Sequence, residues 1–216
     1  DIYIINSCTV TNQAASKSRK YARRAKRRND KSVVIMVGCY PQVDEKEVID
    51  IKEIDYILGT SGKNSIVSLV ENQLEIESDD KHLKNNVQYE DFSEFEEMSI
   101  TDLSETTRAY IKIQEGCNQF CSYCIIPYAR GKMRSRQPDN VIKEVKKLIR
   151  EDNVKEVVLT GIHLGAYGIE RNNEYALVEL IEKLSQISGL KRIRLSSIEV
   201  TEVNDWLLDL MKKDEK

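Results

Sequence analysis

The chain has 216 residues, of which 32% are charged and 40% hydrophobic, with a formal net charge of -3. That balance suits one large or two modest globular domains and excludes a disordered chain, and no apolar run approaches the ~20 residues that a membrane helix needs. Five cysteines is an odd number, and nothing at the start reads as a signal peptide, so a reducing cytoplasm is expected rather than a secreted disulfide framework.

Residues 1–6 (DIYIIN) read as a buried strand, and 14–28 (AASKSRKYARRAKRR) as a helix carrying heavy positive charge. A second buried strand at 33–37 (VVIMV), a short helix at 45–54, a third strand at 55–58 (DYIL) and a helix at 65–74 follow. This alternation predicts a parallel sheet wrapped by helices, doubly wound and flavodoxin-like. From 75 to 106 the pattern stops in an acidic, nonperiodic stretch that includes His82, expected to be a linker or surface hairpin. Strand and helix then resume over 107–216: 108–113 (RAYIKI), a helix opened by Pro138 and Asp139, 155–161 (KEVVLTG), a helix at 174–187, 191–197 (KRIRLSS) and a last helix at 201–213. The domain reading is therefore 1–74, the linker 75–106, and 107–216.

The cysteines fall on this map at strand ends. Cys8 follows the first strand, Cys39 the second, and Cys117 the strand at 108–113, with Cys121 and Cys124 completing a C-x-x-x-C-x-x-C spacing. The carboxyl edge of a parallel sheet is where open α/β folds place their ligands. Taken singly, Cys8 and Cys39 also read as small buried apolar residues. For the close triplet, three chemistries compete: a disulfide with a spare thiol, a zinc site, or an iron–sulfur cluster. A structural zinc site wants four ligands, and neither His82 nor His163 stands at paired spacing with the three thiols. Three thiolates on a four-iron cubane leave one iron open to a small molecule.

The triplet, with Tyr123 just before its third cysteine, resembles the signature of the radical S-adenosylmethionine (SAM) superfamily. The segments NSCTVTNQAASKSR, VGCYPQ and GCNQFCSYCIIPYARGKMRSR, in that order, are similar to the methylthiotransferases within it. More narrowly, they resemble the branch that adds a methylthio group to C2 of N6-threonylcarbamoyladenosine at position 37 of tRNA, beside the anticodon. The resemblance implies an N-terminal α/β domain followed by a partial β/α barrel, and two 4Fe–4S clusters. Cys117, Cys121 and Cys124 match the SAM-binding cluster; Cys8 and Cys39 match two of the three ligands of an auxiliary cluster. It also implies SAM as cofactor, seated near Tyr123 and Ile126, tRNA as partner through its anticodon loop, and an electron donor such as flavodoxin or ferredoxin. The family's first auxiliary cysteine, its later SAM-ribose motifs and its small RNA-binding domain have no match here, so a fragment of a longer protein, truncated in its barrel and inactive alone, is expected. Sister enzymes acting on isopentenyladenosine tRNA or a ribosomal protein, and a non-catalytic iron–sulfur sensor or RNA-binding protein, are the alternatives.

Other candidates follow from position. Backbone groups at Thr160, Gly161 and Ile162 lie where the superfamily's second strand meets the amino group of SAM, in a stretch that otherwise reads as a glycine-rich turn. His163 is a candidate for substrate contact, and Ser197 and Glu199, at the end of the third strand, for SAM or the base. Arg130, Arg134 and Arg136 are candidates for phosphate or the SAM carboxylate, with solvated surface as the competing reading. The basic helix, represented by Arg23, Arg24, Arg27 and Arg28, starts close to Cys8 and is a candidate RNA contact, although such runs usually only solvate a helix.

Overall fold

A computed structural model describes residues 1–75, 94–98 and 108–216. In chain order the elements are β1 (Ile2–Ser7), α1 (Asn12–Arg28), β2 (Val33–Gly38), α2 (Cys39–Val43), α3 (Glu45–Ile49), β3 (Tyr56–Leu58), α4 (Ile66–Glu75), β4 (Arg108–Lys112), β5 (Gln114–Glu115), α5 (Ile126–Arg130), β6 (Arg134–Ser135), α6 (Pro138–Asp152), β7 (Glu156–Thr160), α7 (Ala176–Ser185), β8 (Arg192–Leu195) and α8 (Asp205–Lys213). They form two compact units, one running from Asp1 and reclaiming Gln119–Gly131, the other holding the 94–98 segment, the stretch to Asn118, and Lys132–Lys216. Most of the expected acidic linker, His82 included, lies outside the described residues.

The first unit is an open parallel sheet in the order β1-β2-β3. Its central strand is apolar on both sides. Val34 and Met36 pack with Ala15, Ala22 and Ala25 of α1, while Ile35 and Val37 pack with Leu58 and with Ile66, Leu69 and Val70 of α4. Helices therefore cover both faces, the doubly wound arrangement that the strand–helix alternation predicts. α1 starts at Thr11, whose hydroxyl accepts a hydrogen bond from the Ala14 amide. Its buried face is Ala15, Ser18, Ala22 and Ala25, at the three- and four-residue spacing of one helix side. Small side chains there bring the helix axis close to the sheet and leave Arg23, Arg24, Arg27 and Arg28 on the outer side.

The second unit is built on the parallel sheet β4-β7-β8, with α6, α7 and α8 supplying its core partners. Ala109 and Ile111 of β4, Val157 and Leu159 of β7, and Ile193 and Leu195 of β8 face those helices. The opposite face carries Arg108, Tyr110, Lys112, Glu156, Arg192 and Arg194, and most of it is exposed. A sheet covered on one side only departs from the doubly wound plan and agrees with a partial β/α barrel; the described strands close no barrel. Four short elements were not expected from the sequence: the helices α2 and α5, and β5 and β6, which pair antiparallel and join Gln114 to Ser135 and Glu115 to Arg134 at the two ends of the cysteine loop. Among the described residues no helix is long and apolar enough to cross a membrane.

Candidate functional site

In the first unit, Ser7 and Gly38 are register partners across β1 and β2, so Cys8 and Cys39 emerge at the same sheet edge. The turn into α2 needs Gly38, whose φ is +103° and whose missing side chain would lie 2.6 Å from the Ser7 carbonyl oxygen. Cys8 is exposed and Cys39 buried. Burial pushes the Cys39 thiol above its ordinary range, opposed by the Arg130 guanidinium hydrogen-bonded beside it, and the charge of Cys8 raises it further. Arg130 comes from α5, which packs on α2. It therefore serves the Cys39 end of this unit rather than a solvated face.

Cys121 and Cys124 belong to the same unit. The Cys124 amide donates to the Cys121 carbonyl at 2.9 Å, a tight turn that leads into α5, with Ile126 half-buried at its first position. Cys121 is exposed and Cys124 half-buried. Tyr123 is 90% exposed, and Phe120 holds a left-handed backbone at φ +47°. The Phe120 ring meets Tyr128 edge to face at 5.9 Å.

Cys117 belongs to the second unit, where a different set of contacts orders it. Gly116, at φ +73°, turns the chain out of β5. The buried Gln114 amide group donates to the carbonyls of Glu115 at 3.0 Å and Gly116 at 2.9 Å, and its oxygen accepts the His163 amide at 2.7 Å. The His163 ring places Nδ1 3.9 Å from the Cys117 sulfur, while Nε2 pairs with the Glu202 carboxylate. Asn118 accepts a hydrogen bond from the Met133 amide, closing the far side of the loop.

The remaining candidates take varied places. The Thr160 carbonyl is engaged by the Ile113 amide at 2.9 Å, Gly161 packs its bare Cα against Gln114, and Ile162 is exposed. Ser197 and Glu199 are exposed after β8, and Glu199 caps the single turn Val200–Glu202 reciprocally with Glu202. It is Glu202, not singled out from the sequence, that reaches His163. Gly165 leaves room for it, because a side chain there would run into the Glu202 carboxylate. Arg134 and Arg136 correct the expectation of a phosphate site or a solvated face: both are buried, Arg134 against Glu115 at 3.4 Å and Arg136 against Glu144 and Glu97. Folding the β5–β6 pair onto α6 removes them from solvent, and carboxylates replace the lost hydration.

On α1, Arg23, Arg24, Arg27 and Arg28 are all exposed, with Arg23 in a loose 3.9 Å pair with Glu53. Arg19 and Lys26 point inward instead, to Glu47 and Asp55. A groove of about 620 Å³ runs along the outer face beside Lys17, Lys20, Tyr21 and Arg24.

The five cysteines are thiols, none in a disulfide. Among the described residues no three Cys, His, Asp or Glu side chains already stand together as a metal cage, so the fit to an iron–sulfur cluster rests on donor type and spacing. On those grounds the residues fit: Cys117, Cys121 and Cys124 are soft sulfur donors, none fully buried, on a loop with positive-φ turns at Gly116 and Phe120.

Residues 111–213 match the radical SAM superfamily, and residues 1–59 match the family described as Uncharacterized protein family UPF0004. The chain is 39% identical over its whole length to the threonylcarbamoyladenosine tRNA methylthiotransferase MtaB of Bacillus subtilis, and 40% identical to that of Aquifex aeolicus. It is 32% identical to the tRNA-2-methylthio-N(6)-dimethylallyladenosine synthase of Thermodesulfovibrio yellowstonii. The chain spans about half the length of these curated relatives, 47%, 51% and 48% respectively. Among solved structures, the radical SAM methyltransferase TsrM of Kitasatospora setae superposes with a TM-score of 0.58 at 12% identity, covering 99% of this chain and 54% of that one, a likeness of fold alone. The superfamily match implies SAM and a 4Fe–4S cluster as cofactors. The chain thus carries a UPF0004 domain over residues 1–59 followed by a radical SAM domain over residues 111–213.

Proposed function

We propose that the protein is a tRNA methylthiotransferase that acts on N6-threonylcarbamoyladenosine at position 37. The observation that carries this reading is the identity of 39–40% running through both domains to two curated enzymes of that name, those of Bacillus subtilis and Aquifex aeolicus, a level that the two dimethylallyladenosine enzymes, at 32–33%, do not reach. Residues 1–74 are read as the methylthiotransferase domain and 107–216 as the radical SAM domain.

Cys117, Cys121 and Cys124 would hold the SAM-binding cluster, with Tyr123 and Ile126 beside the adenine. Thr160, Gly161 and Ile162 are assigned to the SAM amino group, and Ser197 and Glu199 to SAM or the base. When bound, cluster and SAM supply a 5′-deoxyadenosyl radical able to open an aromatic C–H bond that no acid or base on the chain could open at neutral pH. Cys8 and Cys39 are assigned to an auxiliary cluster that bears the sulfur. Support for that assignment comes from their emergence at one sheet edge, next to paired residues of β1 and β2, with the Arg130 guanidinium at Cys39 to offset thiolate charge. The exposed face of α1 is assigned to RNA phosphates, and a cytoplasmic flavodoxin or ferredoxin to electron supply.

The test is mass spectrometry of tRNA nucleosides from cells lacking the gene. The methylthio derivative of threonylcarbamoyladenosine should vanish while the dimethylallyl-derived one stays; the reverse pattern would move the protein to the sister activity. Anaerobic reconstitution with iron and sulfide should yield a chromophore that responds to SAM and is lost in Cys121→Ala, whereas stoichiometric zinc in its place would overturn the cluster assignment.

A further inference from the structure

We propose that His163, held by Gln114 and Glu202, is a positioning residue for Cys117, setting both the place and the polar surroundings of that sulfur; this rests on the assignment of Cys117 to the SAM-binding cluster. Three observations converge on it. Gln114 is fully buried, and a buried amide is costly unless its hydrogen bonds are made. Here they are made to the two loops concerned: two donated to carbonyls just ahead of Cys117, and one accepted from the His163 backbone. An apolar side chain at 114 would fill the space but would tie neither loop. Gly161 is also shaped to the array, since a side chain there would sit 2.9 Å from the Gln114 Cβ.

The ring is fixed at its other end. Nε2 pairs with Glu202, whose carboxylate occupies the space left by Gly165 and accepts a further hydrogen bond from the Glu199 amide at 3.3 Å. With backbone and Nε2 both anchored, the imidazole can present only its Nδ1 edge to Cys117. Polar groups beside a ligating sulfur tune the potential of an iron–sulfur cluster, and partners of ligands are what hold those ligands in orientation. His163 thus acts on the cluster through Cys117, rather than by touching the substrate base.

The test uses the anaerobically reconstituted protein, with iron and sulfide content, the midpoint potential of the cluster and the EPR spectrum of its reduced form as readouts. His163→Leu should keep iron and sulfide, because all three thiols remain, yet shift the midpoint to more negative values and change the EPR line shape. His163→Asn, whose amide nitrogen can stand near the place of Nδ1, should restore most of the wild-type midpoint. Glu202→Ala, which leaves the ring but removes its anchor, should shift the midpoint in the same direction as His163→Leu and by less. A loaded His163→Leu protein with wild-type midpoint and EPR overturns the proposal. If His163→Leu fails to fold by circular dichroism, an unchanged midpoint in Glu202→Ala overturns it instead. A wild-type protein that takes up no cluster defeats the assignment of Cys117 itself, a failure distinct from these.

Discussion

Replacing Glu144 by leucine should destabilise the second unit by about 3 kcal/mol, and replacing Arg136 by methionine in the same chain should recover most of that loss. The side chains of Arg136 and Glu144 are 5% and 4% exposed, so the pair is cut off from water. Burial pushes the Arg136 guanidinium down, but Glu144 and Glu97 outweigh it and keep the group charged. Removing one member of such a pair costs about 3–5 kcal/mol, because the other is left as a buried charge without compensation. The low end applies here, since Glu97 remains 2.6 Å from Arg136 Nε, and at 40% exposure it is only a partial substitute. In the double variant no charge is buried, and methionine and leucine fill the space with apolar volume, so stability should return to within about 1 kcal/mol of wild type. The assay is urea unfolding followed by the fluorescence of Trp206, the only tryptophan, which lies in the same unit and meets Tyr175 edge to face at 4.5 Å. A Glu144→Leu protein within about 0.5 kcal/mol of wild type, or a double variant whose loss equals the sum of the singles, would refute the burial argument.

Three further outcomes are expected. With limiting iodoacetamide on the metal-free protein, peptide mass spectrometry should find Cys8 and Cys121 alkylated well before Cys39, which is 2% exposed and whose thiol burial pushes up; equal rates would contradict that placement. Gly38→Ala should cost about 2 kcal/mol or more in thermal unfolding and speed Cys39 labelling, because a φ of +103° and a Cβ 2.6 Å from the Ser7 oxygen both resist a side chain. Partial desolvation pushes the Glu156 carboxyl up, but Arg194 and Arg108 outweigh it and hold it below its ordinary value. A lowered folded pKa gives stability that is full above the ordinary carboxylate pKa of about 4.3 and is lost as pH falls through the depressed value. Acid titration of stability should therefore be steeper in wild type than in Glu156→Gln, and identical profiles would discount the arginine cluster.

Much of this was legible in one dimension. Strand and helix positions followed from local pattern: β2 from the run Val33–Val37, α6 from Pro138 and Asp139 at its start, and α1 from its long, heavily basic stretch. The cysteine motif was legible for the same reason, because ligand spacing within a loop is a local property. β5 and β6 were not legible, each being 2 residues long and specified by pairing across the loop rather than by any pattern of its own.

By itself the sequence determined the longer strands and helices, the sheet edge on which Cys8 and Cys39 emerge, and the identity of the thiol donors, since these depend on residue type and short-range order. Tertiary structure alone decided what each charged side chain meets. Arg134 and Arg136 look like their exposed neighbours in the string, yet burial forces them onto Glu115 and Glu144, while Arg24 on α1 stays in solvent. It also decided that Glu202, rather than Glu199, reaches His163, and that Arg130 stands beside Cys39. Partners this distant in sequence are chosen by where packed elements bring side chains together, and desolvation then makes the choice costly to reverse.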